Sequence, residues 1–137
     1  LPVTAEQVVP VTWRRADGRL REAPLVELAE RASARLLDMC GAEAAAMMPV
    51  ETRLKWPGDV PVATRLVLRT RVVAAQDGAV DLMHRVEEVG GGLVATVETR
   101  LCPVGNRGAL PAHVVESLVA WAAAHADLPD DGACTSS

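Results

Sequence analysis

The chain contains no phenylalanine and no tyrosine, and its only aromatic side chains besides histidine are Trp13, Trp56 and Trp121. A core without Phe must be packed from aliphatic side chains, so helix and sheet have to approach closely. Lysine is nearly absent as well, Lys55 being the only one, and the remaining cations are arginines. With a net charge of −4 the chain has none of the basic excess of a nucleic-acid-binding protein. Cysteine is scarce: Cys40, Cys102 and Cys134 are odd in number and lack metal-ligand spacing. They read as free thiols in a reducing compartment. No apolar run approaches the ~20 residues of a membrane span, and no basic start followed by an apolar stretch marks a signal peptide. The expectation is a cytoplasmic protein with no membrane role. A zinc site, a phosphate-binding glycine loop and a Ser-His-Asp motif are all missing too. Gly90-Gly91-Gly92 reads as a hairpin, because no helix pattern follows it.

The 137 residues suit one domain, expected over 1–127, with a frayed tail over 128–137. Half of them are hydrophobic, and their spacing is informative. Leu25, Leu28, Ala29, Ala32, Leu36 and Leu37 recur at helical intervals and predict a helix from Ala23 to Cys40. Pro24 suits its first turn and Gly41 its end, while Glu27 and Arg31 form an i,i+4 pair in the favourable order. Such a helix would be ~27 Å long, enough to cross a five-stranded sheet. Alternating patterns predict strands over Glu6–Trp13, Met47–Trp56, Val62–Ala75, Ala79–Gly90 and Leu93–Val104. Pro10 puts the first of these at an edge or a bulge. The turns between the later strands, Pro57-Gly58-Asp59, Gln76-Asp77-Gly78 and Gly90-Gly91-Gly92, are too short for parallel crossovers, so the sheet should be antiparallel. A second amphipathic helix is expected over Pro111–Ala126. The fold class is therefore α+β: five or six antiparallel strands wrapped around one long central helix, plus a C-terminal helix.

Three stretches resemble the hot-dog fold thioesterases of the 4-hydroxybenzoyl-CoA thioesterase-like group. One is Val11-Thr12-Trp13 leading through Asp17-Gly18-Arg19 to the helix residues Leu25 to Glu30. The second is Leu54-Lys55-Trp56-Pro57-Gly58-Asp59, and the third is Leu93 to Arg100. Their order and spacing carry the resemblance over most of residues 8–116. Arg19 stands where the family's loop has histidine, and Asp17 directly precedes Gly18 instead of standing two residues further away.

The resemblance implies hydrolysis of an acyl-CoA or acyl-ACP thioester by a carboxylate acting as base or nucleophile. No metal or organic cofactor is implied, and the assembly implied is a homodimer or homotetramer with sites at the interface. Three residues match carboxylate positions of hot-dog enzymes. Asp17 matches the loop acid, although an Asp before Gly is also what a turn prefers. Glu27 and Glu30 match the acid carried in the central helix of other branches, although both also suit a solvated helix surface. A hydratase or dehydratase of the same fold would pair Glu27 with a loop histidine that this chain lacks. A non-catalytic acyl-CoA binding or scaffolding protein is the alternative of a different class. His84 falls in the apolar phase of its strand, which favours a hydrogen-bonded, partly buried ring. Arg53, Arg69, Arg71 and Arg100, on polar strand faces, are candidates to meet CoA phosphates.

Overall fold

A computed structural model of the chain describes residues 3–17, 19–42, 46–56, 60–104 and 108–125. Five strands and two helices follow in the order β1 (Val3–Val8), α1 (Glu22–Met39), β2 (Met47–Lys55), β3 (Arg65–Ala75), β4 (Val80–Glu88), β5 (Leu93–Pro103) and α2 (Ala112–Ala124). The strands form one antiparallel sheet in the order β1-β3-β4-β5-β2. Consecutive strands β3, β4 and β5 pair through short hairpins. By contrast, β1 and β2 lie at opposite edges, and α1 carries the chain from one to the other. Four strand spacings come to ~19 Å, so an 18-residue helix is long enough for that crossing.

Helix α1 begins one residue earlier than its apolar pattern and ends at Met39, after which Gly41 takes a positive φ of 81° that suits glycine. Its buried face is Pro24, Leu25, Leu28, Ala29, Ala32, Ser33, Leu36 and Leu37. The sheet's inner face is built from alternate residues: Leu66, Leu68, Thr70 and Val72 on β3, Val80, Leu82, His84 and Val86 on β4, and Ala95, Val97, Thr99 and Leu101 on β5. All of these are buried. They pack with the helix in two apolar clusters. The N-terminal half of α1 meets Leu66, Leu68, Val86, Ala95 and Val97. The C-terminal half meets Val72, Val80, Leu82 and Leu101, and is joined there by Val114 and Leu118 of α2.

Three expectations need correction. The strand read over Glu6–Trp13 is displaced: β1 ends at Val8, and Val11–Trp13 is one turn of 3-10 helix. Pro10 is the cause. It has no N–H for a ladder, and its carbonyl instead accepts from Trp13 N–H at 3.1 Å. The even alternation read through β2 also fails at one point. Pro49 pairs with Leu101 but Glu51 with Arg100, so Val50 is the extra residue of a bulge. Helix α2 is shorter at both ends than the Pro111–Ala126 expected. The turn at Pro57-Gly58-Asp59, Ala126 and the tail over 128–137 lie outside the described residues.

Candidate functional site

Of the three sequence-identified carboxylates, Glu27 and Glu30 come to one groove and Asp17 stands apart. Arg14 and Leu20 form an isolated antiparallel bridge, and Arg15 N–H donates to Arg19 O at 2.6 Å, so the segment between β1 and α1 folds back on itself. Asp17 sits at the exposed tip of that excursion. Its Oδ1 accepts from Arg19 N–H at 3.0 Å, and its Oδ2 lies 3.6 Å from Arg15 Nη2. Both are local interactions that stabilise a turn.

Glu27 and Glu30 project from the exposed side of α1, away from its buried face. They share a groove of ≈580 Å³ with Gln7, Trp13, Pro24, Arg31 and Ala34. Arg31 Nη2 donates to Gln7 Oε1 at 3.1 Å and ties the helix to the edge strand β1. On the other flank of α1 lies a smaller groove of ≈170 Å³, bounded by Ser33, Leu37, Met47, Pro49, Thr99 and Leu101. Glu30 and Ala34 line both. Glu30 therefore stands where a small, mostly apolar groove meets a larger one of mixed polar and apolar lining.

Beneath the smaller groove is a set of polar groups that the sequence pattern did not connect. His84, with no exposed surface, is held at both nitrogens: Nε2 is 2.8 Å from Ser33 Oγ and Nδ1 is 2.7 Å from Thr70 Oγ1. Thr70 continues to Thr4 Oγ1 at 2.8 Å, Thr4 reaches Leu68 O at 3.1 Å, and Ser33 reaches Ala29 O at 2.9 Å. The chain runs from α1 through β4 and β3 to β1 and fills the gap between the two apolar clusters. Burial makes the charged ring costly and lowers its pKa from 6.5 to about 4, so His84 is neutral at pH 7. The polar phase of Thr70 on β3 and of Ser33 among the helix's apolar positions was the available signal. The pairing of 33 with 84 depends on tertiary contact alone.

The arginines considered for phosphate lie on the opposite, outer face of the sheet. Arg100 donates to Asp81 at 2.8 and 3.2 Å, Arg53 to Glu51 at 3.1 Å, and Arg69 Nε is 3.6 Å from Glu87 Oε1. These are cross-strand and local ion pairs, and none of them lines either groove beside α1. Among the described residues no group of three His, Cys, Asp or Glu is placed to hold a metal ion. Among the same residues no helix is long and apolar enough to cross a membrane.

No protein-family model matches this chain, and no curated protein matches it. Solved structures do. A candidate thioesterase from Pseudomonas putida is 17% identical, with 95% of this chain and 92% of that chain covered at a TM-score of 0.85. A thioesterase from Thermus thermophilus, solved with coenzyme A and zinc, is 15% identical over 89% of this chain and 95% of that chain, at a TM-score of 0.79. A hexameric, broad-specificity acyl-coenzyme A thioesterase is 12% identical over 90% of this chain and 98% of that chain, at a TM-score of 0.72. The chain has the fold these proteins share, the hot-dog fold.

Proposed function

We propose that this protein hydrolyses an acyl-CoA or acyl-ACP thioester, with Glu30 as the carboxylate that activates water or attacks the carbonyl. The observation that carries the reading is the position of Glu30 at the junction of two unequal grooves on α1. A thioester substrate is likewise unequal about its reacting carbon. Its acyl part suits the small apolar groove, and its longer, polar pantetheine arm suits the groove lined by Gln7, Trp13 and Arg31. The scissile carbonyl then falls at Glu30, within reach for general-base or nucleophilic chemistry. Glu27, one turn earlier on the larger groove, is the second choice. Asp17 is engaged in its own turn and lies on neither groove. No metal or organic cofactor is required for this chemistry.

The assembly proposed is a homo-oligomer in the cytoplasm. Strand β2 is an edge strand with an exposed face that includes Met48 and Val50, and α1 leaves its outer face uncovered. A second copy placed there would cover the outer face of α1 that carries Glu27 and Glu30 and exclude water from the thioester. The hydratase reading needs an imidazole beside the acid, whereas His84 is walled off beneath Ser33 and lines neither groove.

The test is free-thiol release from acyl-CoA esters ranging from acetyl to palmitoyl, with benzoyl and phenylacetyl included. Turnover that falls at least 100-fold in Glu30→Gln, with the fold and oligomer intact, is the expected result. Tight binding of these esters with no turnover would instead make the protein a non-catalytic acyl-CoA binder.

A further inference from the structure

The smaller groove has a polar floor whose hydrogen-bonding sense can be worked out. Five contacts link Leu68 O, Thr4, Thr70, His84, Ser33 and Ala29 O. Three hydroxyls and a neutral imidazole supply four protons, so one contact always lacks a proton. In one polarity Thr4 donates to Leu68 O, Thr70 to Thr4, Nδ1–H to Thr70, and Ser33 to Nε2. In the reverse polarity Ser33 donates to Ala29 O and accepts from Nε2–H. Either way the single proton of Ser33 is drawn inward, toward an acceptor 2.8 or 2.9 Å away. Ser33 lines the groove, and in either polarity its oxygen keeps one lone pair unused.

Three further features narrow what would fit there. Thr99 lies on the same wall, and its hydroxyl can donate as well as accept. Ala34, Leu37, Met47, Pro49 and Leu101 make the remaining surface largely apolar. A volume of ≈170 Å³ is below the ~300–1,000 Å³ of pockets that take a drug-sized ligand, which favours a short acyl group over a long chain. Glu30 at the mouth, in a chain of net charge −4, disfavours a second carboxylate on the ligand.

We propose that the smaller groove selects a short acyl group carrying a hydroxyl, which donates to Ser33 Oγ and accepts from Thr99. This rests on the thioester reading above and names the substrate class of that site. An alcohol matches one pure acceptor and one donor-acceptor. A ketone at the same carbon matches only Thr99, and a methylene matches neither.

The experiment compares 3-hydroxybutyryl-CoA, acetoacetyl-CoA, butyryl-CoA and succinyl-CoA on the wild-type protein by thiol release. In parallel, calorimetry measures binding of the non-hydrolysable thioethers 3-hydroxybutyl-CoA and butyl-CoA. The hydroxyl is expected to raise kcat/KM and affinity about three- to tenfold over the unsubstituted chain, the size of one net hydrogen bond. That ratio should fall to about one in Ser33→Ala, and decrease in Thr99→Val if Ser33→Ala does not fold. Equal values for the two thioethers in the wild type, or a ratio that survives both substitutions, would overturn the proposal. Turnover without a hydroxyl preference leaves hydrolysis standing and removes the selectivity. A hydroxyl preference in binding without turnover on any ester does the reverse.

Discussion

The two long faces of α1 solve opposite problems with similar material. Its inner face carries Leu25, Leu28, Leu36 and Leu37 together with one polar residue, Ser33, and every one of these is buried. Its outer face carries Glu27, Glu30 and Arg31 in solvent, beside open grooves. On the inner face a polar side chain is retained only because His84 and Ala29 O satisfy it. On the outer face the carboxylates have few fixed partners and remain available to a ligand. Burial with complete pairing fixes the helix in register on the sheet, and exposure beside a groove leaves chemistry possible. Ser33 and Glu30 are one turn apart, so the fixed face positions the open one.

The largest expected break of this contrast is on the open face. Glu30→Gln removes the proposed base while keeping size and exposure, and general-base contributions run ~10²–10⁴-fold. Turnover measured by thiol release should fall by that factor, equivalent to about 3–5 kcal/mol of transition-state stabilisation. The thermal midpoint should stay within ~2 °C, because an exposed helix carboxylate contributes little to stability. On the fixed face the effect is reversed: Leu36→Ala, at a position with no exposed surface, should cost about 2–5 kcal/mol in urea unfolding.

The pairing at His84 makes a prediction in pH. Its folded pKa of about 4 is below the 6.5 of the unfolded chain, so between those values the unfolded state binds more protons. The associated stability is fully present above pH 6.5 and is lost as the pH falls from about 6.5 to about 4. It amounts to roughly 3 kcal/mol at ~1.4 kcal/mol per pH unit. Denaturant midpoints at pH 7, 5.5 and 4.5 should therefore decline more steeply for the wild type than for His84→Gln. Parallel slopes would show that the ring is not held neutral by burial.

Much of this architecture was legible from spacing. The helix, four of the strands and the antiparallel order followed from periods of 3.6 and 2 and from turn residues, because those signals are local. The burial of His84 also followed, because it falls in the apolar phase of its strand. What was not legible depended on a single local constraint or on distant contact. Pro10 outweighed the alternating residues on either side of it and ended the first strand early. The bulge at Val50 depends on β5, 50 residues later in the chain. Glu27 and Glu30 were readable as candidates from their place on the helix. That Glu30 alone of the three carboxylates borders both grooves, and that Ser33 meets His84, required the folded sheet beneath α1.

Asp17 supplies the smallest and most discriminating prediction. In the sequence it is a candidate beside the two glutamates, since it precedes a glycine in a loop that resembles the acid-bearing loop of hot-dog thioesterases. In the folded chain it accepts from Arg19 N–H and lies near Arg15 at an exposed tip, away from both grooves. Asp17→Asn keeps an oxygen able to accept from Arg19 and removes only the charge. An exposed ion pair at 3.6 Å contributes ~0–1 kcal/mol. Turnover should therefore change less than about twofold and stability by less than ~1 kcal/mol. A 100-fold loss of kcat in this variant, with Glu30→Gln remaining active, would move the reacting carbonyl from the helix face to the loop. The turn at Asp17 would then have to open toward the substrate, which the bridge between Arg14 and Leu20 resists.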